Sequence, residues 1–297
     1  MEQDVVGTYL VPAVLAVMMV GMGMTLQAAD FRRLLAYPKA VVTGLCAQVL
    51  LLPALGWLIV TALQLPPEFA VGVMIISFCP GGVGSNLLAL IARADTALSV
   101  TLTGISNLLL ILSLPWWVNL SLRTFLPGEQ AILLPVGKTI LSTALITVVP
   151  ILIGMWVRHL AGAVAQRAEN GFRIFSGLFL GVLMLSIAIK NRDVIIEALW
   201  SLGPAIVALN LGSMLMGLVL ASLLQLRMSQ RTTIAIETGF QNAALAILVT
   251  TTFLQNPRMA LAPVFYGGVM FVGAFALIGL LRATRMAPSK RHADVKL

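Results

Sequence analysis

Eleven of the 297 residues are acidic, and ten of them fall in loops or at the ends of apolar segments. Glu237 is the exception, set inside the apolar stretch Ile234–Leu254 beside Thr238, Gln241 and Asn242. An ionisable side chain at membrane depth costs about 2.5–3.5 kcal/mol on insertion scales, so it needs a reason to be there. One reading is structural: a protonated or hydrogen-bonded carboxyl tied to a neighbouring helix. The other is chemical: with no Lys or Arg in reach, the carboxylate's counter-charge is a mobile cation. A second polar cluster, Pro80-Gly81-Gly82-Val83-Gly84-Ser85-Asn86, interrupts another apolar stretch midway. Proline removes an amide donor and the glycines permit non-helical dihedrals, so a helix break is expected there. Ser99 and Thr103, four residues apart on one helical face, and Gln48 in a further apolar stretch add neutral oxygens. Hydroxyls in a spanning helix commonly bond their own backbone. Taken together, however, these groups form the oxygen-rich set that a hard cation such as Na⁺ requires.

These groups must be held by membrane-spanning helices. The composition is 59% apolar and 10% charged, with a mean hydropathy of +1.00, against roughly 45–50% and 25% in soluble domains. At about 20 apolar residues per crossing, the chain divides into nine expected spans. They are Thr8–Gln27, Ala40–Leu63, Phe69–Arg93, Ala97–Val118, Val136–Val157, Ile174–Lys190, Leu202–Leu226, Thr232–Gln255 and Met259–Leu281. The loops are short and nothing divides the chain, so it reads as one transmembrane domain, 1–297, ending in a basic tail, 282–297.

Orientation follows from the basic residues. With the N-terminus outside, the inner side carries Arg32, Arg33, Lys39, Arg93, Arg158, Arg167, Arg173, Arg227, Arg231, Arg282, Arg285, Lys290, Arg291 and Lys296. The outer side carries Arg123, Lys138, Lys190, Arg192 and Arg258. Fourteen against five sets the N-terminus outside and the C-terminus in the cytoplasm. The same asymmetry accounts for the net charge of +8, and with no basic patch interleaved with aromatics, nucleic acid is not an expected partner. The acidic start, Met1 to Val5, lacks the positive region of a cleavable signal, so the first span is expected to be retained.

The two polar breaks resemble each other. Gly84-Ser85-Asn86 lines up with Phe240-Gln241-Asn242, each followed by an apolar run, and the two spans that hold them run in opposite directions. That is the pattern of an inverted repeat whose broken helices meet near a midplane site, with a first repeat at about 8–118 and a second at about 136–281.

At this point the residues resemble a known family, the bile acid:sodium symporters. The motif Phe78-Cys79-Pro80-Gly81-Gly82-Val83-Gly84-Ser85-Asn86, followed by Ala92 to Val100, is similar to one family signature. Glu237-Thr238-Gly239-Phe240-Gln241-Asn242 is similar to the other. Gly21 to Met24 before Asp30-Phe31, and Gln48 ahead of Pro53, fit as well, and the similarity runs from about Val11 to Leu281. The resemblance implies an all-α polytopic membrane protein of the cell (inner) membrane. It would be an inverted-repeat transporter with panel and core domains and two crossing discontinuous helices, in the nine-helix form. It implies two Na⁺ sites: one of Ser85, Asn86, Ser99, Thr103 and Glu237, the other of Gln48, Glu237 and Gln241 with the backbone carbonyls of Thr238 and Phe240. Val83, Gly84 and Asn242 would face the substrate, a bile-acid-like or smaller carboxylate or sulfonate. One departure stands out: where some bacterial members carry a His-Asn pair in the last helix, this chain reads Val269-Met270.

The expectation is therefore Na⁺-coupled symport of an organic anion by alternating access, in contact with membrane lipid. Proton coupling and an arsenite-type efflux carrier using Cys79 are the alternatives within the same architecture. An enzyme is not expected. His159 and His292 lie in cytoplasmic segments, and neither a metalloprotease nor a serine-hydrolase motif occurs. The two cysteines, Cys46 and Cys79, sit in apolar segments and supply no disulfide framework or metal pair.

Overall fold

The computed structural model describes residues 9–30, 37–127 and 133–286. Thr8, Arg32, Arg33 and most of the basic tail, with His292, lie outside the described residues. The described chain is helical: α1 Val11–Gly23, α2 Pro38–Ala62, α3 Pro67–Ser77, α4 Gly84–Ile91, α5 Thr96–Phe125, α6 Val136–Leu160, α7 Gly162–Lys190, α8 Ile195–Leu223, α9 Met228–Gly239, α10 Ala243–Phe253 and α11 Leu261–Met286. Six of these, α2, α5, α6, α7, α8 and α11, are long and apolar enough to cross a bilayer. Their outward faces carry Leu141, Trp156, Val182, Trp200, Leu215 and Val272, all exposed, which suits a lipid solvent and no aqueous one. Buried polar residues instead collect inside, on α2, α4, α5, α8 and α9. This is a multi-pass membrane protein.

The three remaining expected spans fall on shorter apolar pieces. The first maps to α1, which stops at Gly23 before a turn, Met24–Gln27. The third and eighth are each two helices with a gap: α3 and α4 around Phe78–Val83, α9 and α10 around Phe240–Asn242. The sixth expected span began at Ile174, where the charges stop. The helix itself starts at Gly162, three turns earlier, because backbone hydrogen bonding continues past the apolar limit. Likewise α11 stays helical through Met286, past the expected end at Leu281.

Two breaks at membrane depth leave backbone groups that no water can satisfy, and here each break satisfies the other. The Gly82 amide donates to the Phe240 carbonyl (2.9 Å) and the Asn242 amide to the Pro80 carbonyl (2.8 Å). The result is an isolated antiparallel bridge between Gly81 and Gln241. The two breaks differ in length. Phe240–Asn242 lies within the second break, whereas Gly84-Ser85-Asn86 opens α4. Proline and two glycines make the first gap longer, so its helix resumes later relative to the facing break.

Two other helices are phased by local chemistry. Asp95 N-caps α5, its carboxylate accepting from the Leu98 amide at 3.0 Å, and its carbonyl accepts from the Thr233 hydroxyl of α9 (3.0 Å). That cap and cross-tie fix the rotation of α5 against α9. In α2 one π-helical turn, Ala47–Leu51, carries Gln48. The extra residue per turn widens the helix and re-aims that side chain, a device common at functional sites.

Candidate functional site

Glu237 stands in the last turn of α9 and is 1% exposed. One carboxylate oxygen, Oε1, accepts from the Ser99 hydroxyl and from the Thr103 hydroxyl (3.1 Å), and the other, Oε2, from Thr103 at 2.9 Å. Ser99 also reaches the Asn86 side-chain oxygen at 2.9 Å, and Thr103 reaches it at 3.5 Å. Ser85 approaches Thr103 at 3.4 Å while lying 2.8 Å from the Gly82 carbonyl. Helices α4, α5 and α9 thus bring Ser85, Asn86, Ser99, Thr103 and Glu237 together.

The arithmetic of protons matters here. Three hydroxyls carry one hydrogen each. Against them stand both Glu237 oxygens, Asn86 Oδ1 and the carbonyls of Gly82 and Ser99, which lie within bonding distance of the same hydroxyls. Oxygen lone pairs outnumber donors in a buried space. Among the described residues the buried set includes no Lys, Arg or His to supply positive charge. Such a cluster is chemically suited to a hard cation.

A second group forms beside Gly81. The Gln48 amide nitrogen lies 3.5 Å from the Glu237 carbonyl. That of Gln241 donates to the carbonyls of Glu237 (3.1 Å) and Thr238 (2.8 Å). The side-chain oxygens of both glutamines are buried and have no hydrogen-bond partner. A Cβ at Gly81 would lie 2.5 Å from Glu237 Oε2, 3.4 Å from Gln48 Nε2 and 3.6 Å from Thr103 Oγ1, so the missing side chain is what lets the two groups converge. The Thr238 hydroxyl turns away, to the carbonyls of Ser213, Ile234 and Ala235. The Phe240 carbonyl accepts from Gly82 and keeps one lone pair.

The residues expected to face substrate lie at the same crossing. Val83 and Gly84 are half-buried. Asn242 caps α10 by accepting from the Leu245 amide at 3.1 Å, leaving its buried side-chain nitrogen without a partner. The Phe240 ring lies over Gly84, 2.8 Å from where a Cβ would stand, and meets Phe271 edge-on at 4.9 Å. Of the departing pair, Met270 is buried, and Val269 lines an apolar groove of about 710 Å³ with Met184, Trp200 and Phe265.

Sequence reasoning missed a buttress behind the site. Asn210 of α8 and Tyr266 of α11 both donate to the Gly239 carbonyl, at 2.8 and 3.0 Å, where α9 ends. On α5, Asn107 donates to the Thr103 carbonyl at 2.7 Å. The available signal was an amide inside an otherwise apolar helix, the same signal that Gln48 gave.

Comparison with known proteins decides the family. A sequence model of the Sodium Bile acid symporter family matches residues 12–198. The chain belongs to that family. The matched segment contains Gln48, Ser85, Asn86, Ser99 and Thr103, and Glu237 lies beyond it. Among relatives, an "Uncharacterized sodium-dependent transporter" of Bacillus subtilis is 30% identical over 237 residues, 80% of this chain and 72% of that protein. A chloroplastic "Probable sodium/metabolite cotransporter" of Arabidopsis thaliana is 28% identical over 254 residues, 83% of this chain and 60% of that protein. The human ileal sodium/bile acid cotransporter is 25% identical over 289 residues, 95% of this chain and 81% of that protein. The family consists of sodium-dependent transporters, so Na⁺ is the co-transported ion it implies and no catalytic step is called for.

Proposed function

We propose that this chain is a secondary active symporter that couples two Na⁺ ions to the uptake of a small organic anion. The observation that carries the reading is the buried Glu237 carboxylate, bonded only to hydroxyls, with no cationic side chain among the buried described residues. In this reading one Na⁺ is held by Ser85, Asn86, Ser99, Thr103 and Glu237. The second is held by Gln48, Glu237 and Gln241 with the carbonyls of Thr238 and Phe240. The unpartnered oxygens of Gln48 and Gln241 support the second site. A carboxylate has two oxygens and about four lone-pair directions, enough to face both ions. Occupying one site removes part of the desolvation cost that the carboxylate bears for the other, so the two ions bind cooperatively.

The anion follows from the breaks. Helices α4 and α10 both begin at the crossing, at Gly84 and Ala243, and helix N-termini favour negative charge. Asn242, Val83 and Gly84 line the approach, and the names of the relatives, bile acid and metabolite cotransporters, agree with an organic anion. An apolar pair at Val269-Met270 suits a smaller carboxylate or sulfonate with an apolar body.

Alternating access would come from an inverted repeat. Gln64 and Gln225 both sit in the left-handed region between two leucines at a helix end. In both, the following leucine amide reaches back five residues, Leu65 to Val60 and Leu226 to Ala221. Arg93 and Gln255 form a second left-handed pair after α4 and α10. Helix α1 packs with α6 and α7, a grouping consistent with a panel, while α8 packs along α9 as part of a core. Nine spans with an outside N-terminus complete the reading. The test is uptake of labelled carboxylates and sulfonates into proteoliposomes. An inward Na⁺ gradient should drive accumulation and K⁺ should not. Equal uptake in both would overturn the assignment.

A further inference from the structure

At the C-terminal end of α6, a cavity of about 560 Å³ opens between the turn after α1 and the last turn of α6. Gln27, Ala28, Met155, Trp156, Arg158 and His159 line it. One guanidinium nitrogen of Arg158, Nη1, is buried without a hydrogen-bond partner. Among the described residues the lining contains no acid, and Asp30, just beyond it, accepts from the Gln27 backbone amide at 2.8 Å. Arg158 stands in the final turn of α6, where a positive charge offsets the helix dipole. That accounts for the charge but supplies nothing for Nη1. A second observation comes from the outer surface of α6. Leu152, Trp156 and Leu160, spaced four apart on one helical face, are 56%, 63% and 64% exposed. This apolar stripe runs along the helix, and its Trp156 also lines the cavity.

We propose that the cavity holds the phosphodiester headgroup of an anionic phospholipid, whose acyl chains lie along the Leu152–Trp156–Leu160 stripe. The guanidinium fork matches two phosphate oxygens at once, which an ammonium cannot do. His159 and the Gln27 side-chain amide offer further polar contacts at the rim, and Trp156 is the amphipathic residue expected at headgroup level. The site is independent of the cation cluster, sharing no residue with it.

The test is native mass spectrometry of the purified full chain with phosphatidylglycerol, phosphatidylcholine or inorganic phosphate added. The intact protein should retain phosphatidylglycerol over phosphatidylcholine. Arg158→Gln should reduce that preference about tenfold, the loss of one charge-assisted bidentate contact, and Arg158→Lys should restore it in part. Gln27→Glu tests the site without touching Arg158: Gln27 is exposed, and the added carboxylate should repel the headgroup in a folded protein. Equal retention of both lipids by the unmodified chain would overturn the proposal, as would an undiminished preference in Arg158→Gln and Gln27→Glu. If inorganic phosphate binds the lipid-free protein through Arg158 while phosphatidylglycerol shows no preference, the occupant is a free anion and the lipid assignment fails.

Discussion

The Thr103 hydroxyl lies within bonding distance of both oxygens of Glu237, 3.1 Å from one and 2.9 Å from the other, across the seam between α5 and α9. One proton cannot serve two acceptors at full strength, so the pair is under-bonded until something positive joins it. This relationship makes Glu237→Gln the central experiment. Glutamine keeps the shape and one oxygen but removes the charge that balances Na⁺. Removing one partner of a buried charge pair costs about 3–5 kcal/mol, so apparent Na⁺ affinity should fall at least roughly a hundredfold. Without Na⁺ the variant should melt no lower than the parent, because an uncompensated buried charge has gone. Melting temperature against Na⁺ concentration reads both effects, since a ligand that binds only the folded state raises it by mass action. A parental Na⁺ response in the variant would make Glu237 structural.

Thr103→Val keeps the branched shape and deletes only the hydroxyl. The carboxylate remains, so the loss should be smaller: about 1–3 kcal/mol, the cost of one missing polar partner, or roughly tenfold in Na⁺ affinity. Isothermal titration with Na⁺ separates this from Glu237→Gln. An equal loss in the two variants would mean that Thr103 holds α5 in place and is not a ligand.

The sequence was most informative where a polar residue interrupts an apolar run. Glu237, Ser99, Thr103, Gln48 and the Pro80–Asn86 motif each broke hydropathy, and α2, α4, α5 and α9 bring those residues to one place. Three features were not legible. Side-chain direction was one: the resemblance named the Thr238 carbonyl, but that its hydroxyl turns away to the Ser213 carbonyl of α8 is set by packing. The register of the breaks was another, because pairing Gly81 with Gln241 depends on two backbone bonds between distant segments, not on local composition. The third was the target of Asn210 and Tyr266: an amide in an apolar helix marks Asn210, but not that the two hold the Gly239 carbonyl from behind. Their role comes from tertiary packing that no periodicity encodes.

The proposed orientation predicts that the C-terminus is cytoplasmic. Nine spans place the two ends on opposite sides, and the excess of Lys and Arg falls on the side that holds Arg93, Arg227, Arg231 and Arg282. A reporter active only in the cytoplasm, fused after Leu297, should give signal. The same fusion silent, with expression confirmed by immunoblot, would require an even number of spans or a reversed orientation.

Gly81→Ala tests whether the two halves of the site converge as described. A Cβ there would lie 2.5 Å from Glu237 Oε2, closer than real side chains tolerate, and within 3.4 to 3.6 Å of Gln48 and Thr103. Because the nearest obstacle is the carboxylate, the easiest relief is for Glu237 to rotate off the Thr103 hydroxyl. Overpacking of this kind costs about 1–3 kcal/mol, which should lower the Na⁺-free melting temperature by a few degrees. The larger effect should be on Na⁺, because both proposed ions share the displaced oxygen: the stabilisation that Na⁺ confers on the parent should be mostly lost. Gly268→Ala is the control, since a Cβ at that position in α11 meets nothing within 4 Å. It should leave the Na⁺ response unchanged and the melting temperature unchanged or slightly raised, alanine being the better helix former by up to about 1 kcal/mol. If Gly81→Ala lowers stability but keeps the full Na⁺ increment, the space at Gly81 serves packing alone and the shared-carboxylate arrangement is wrong.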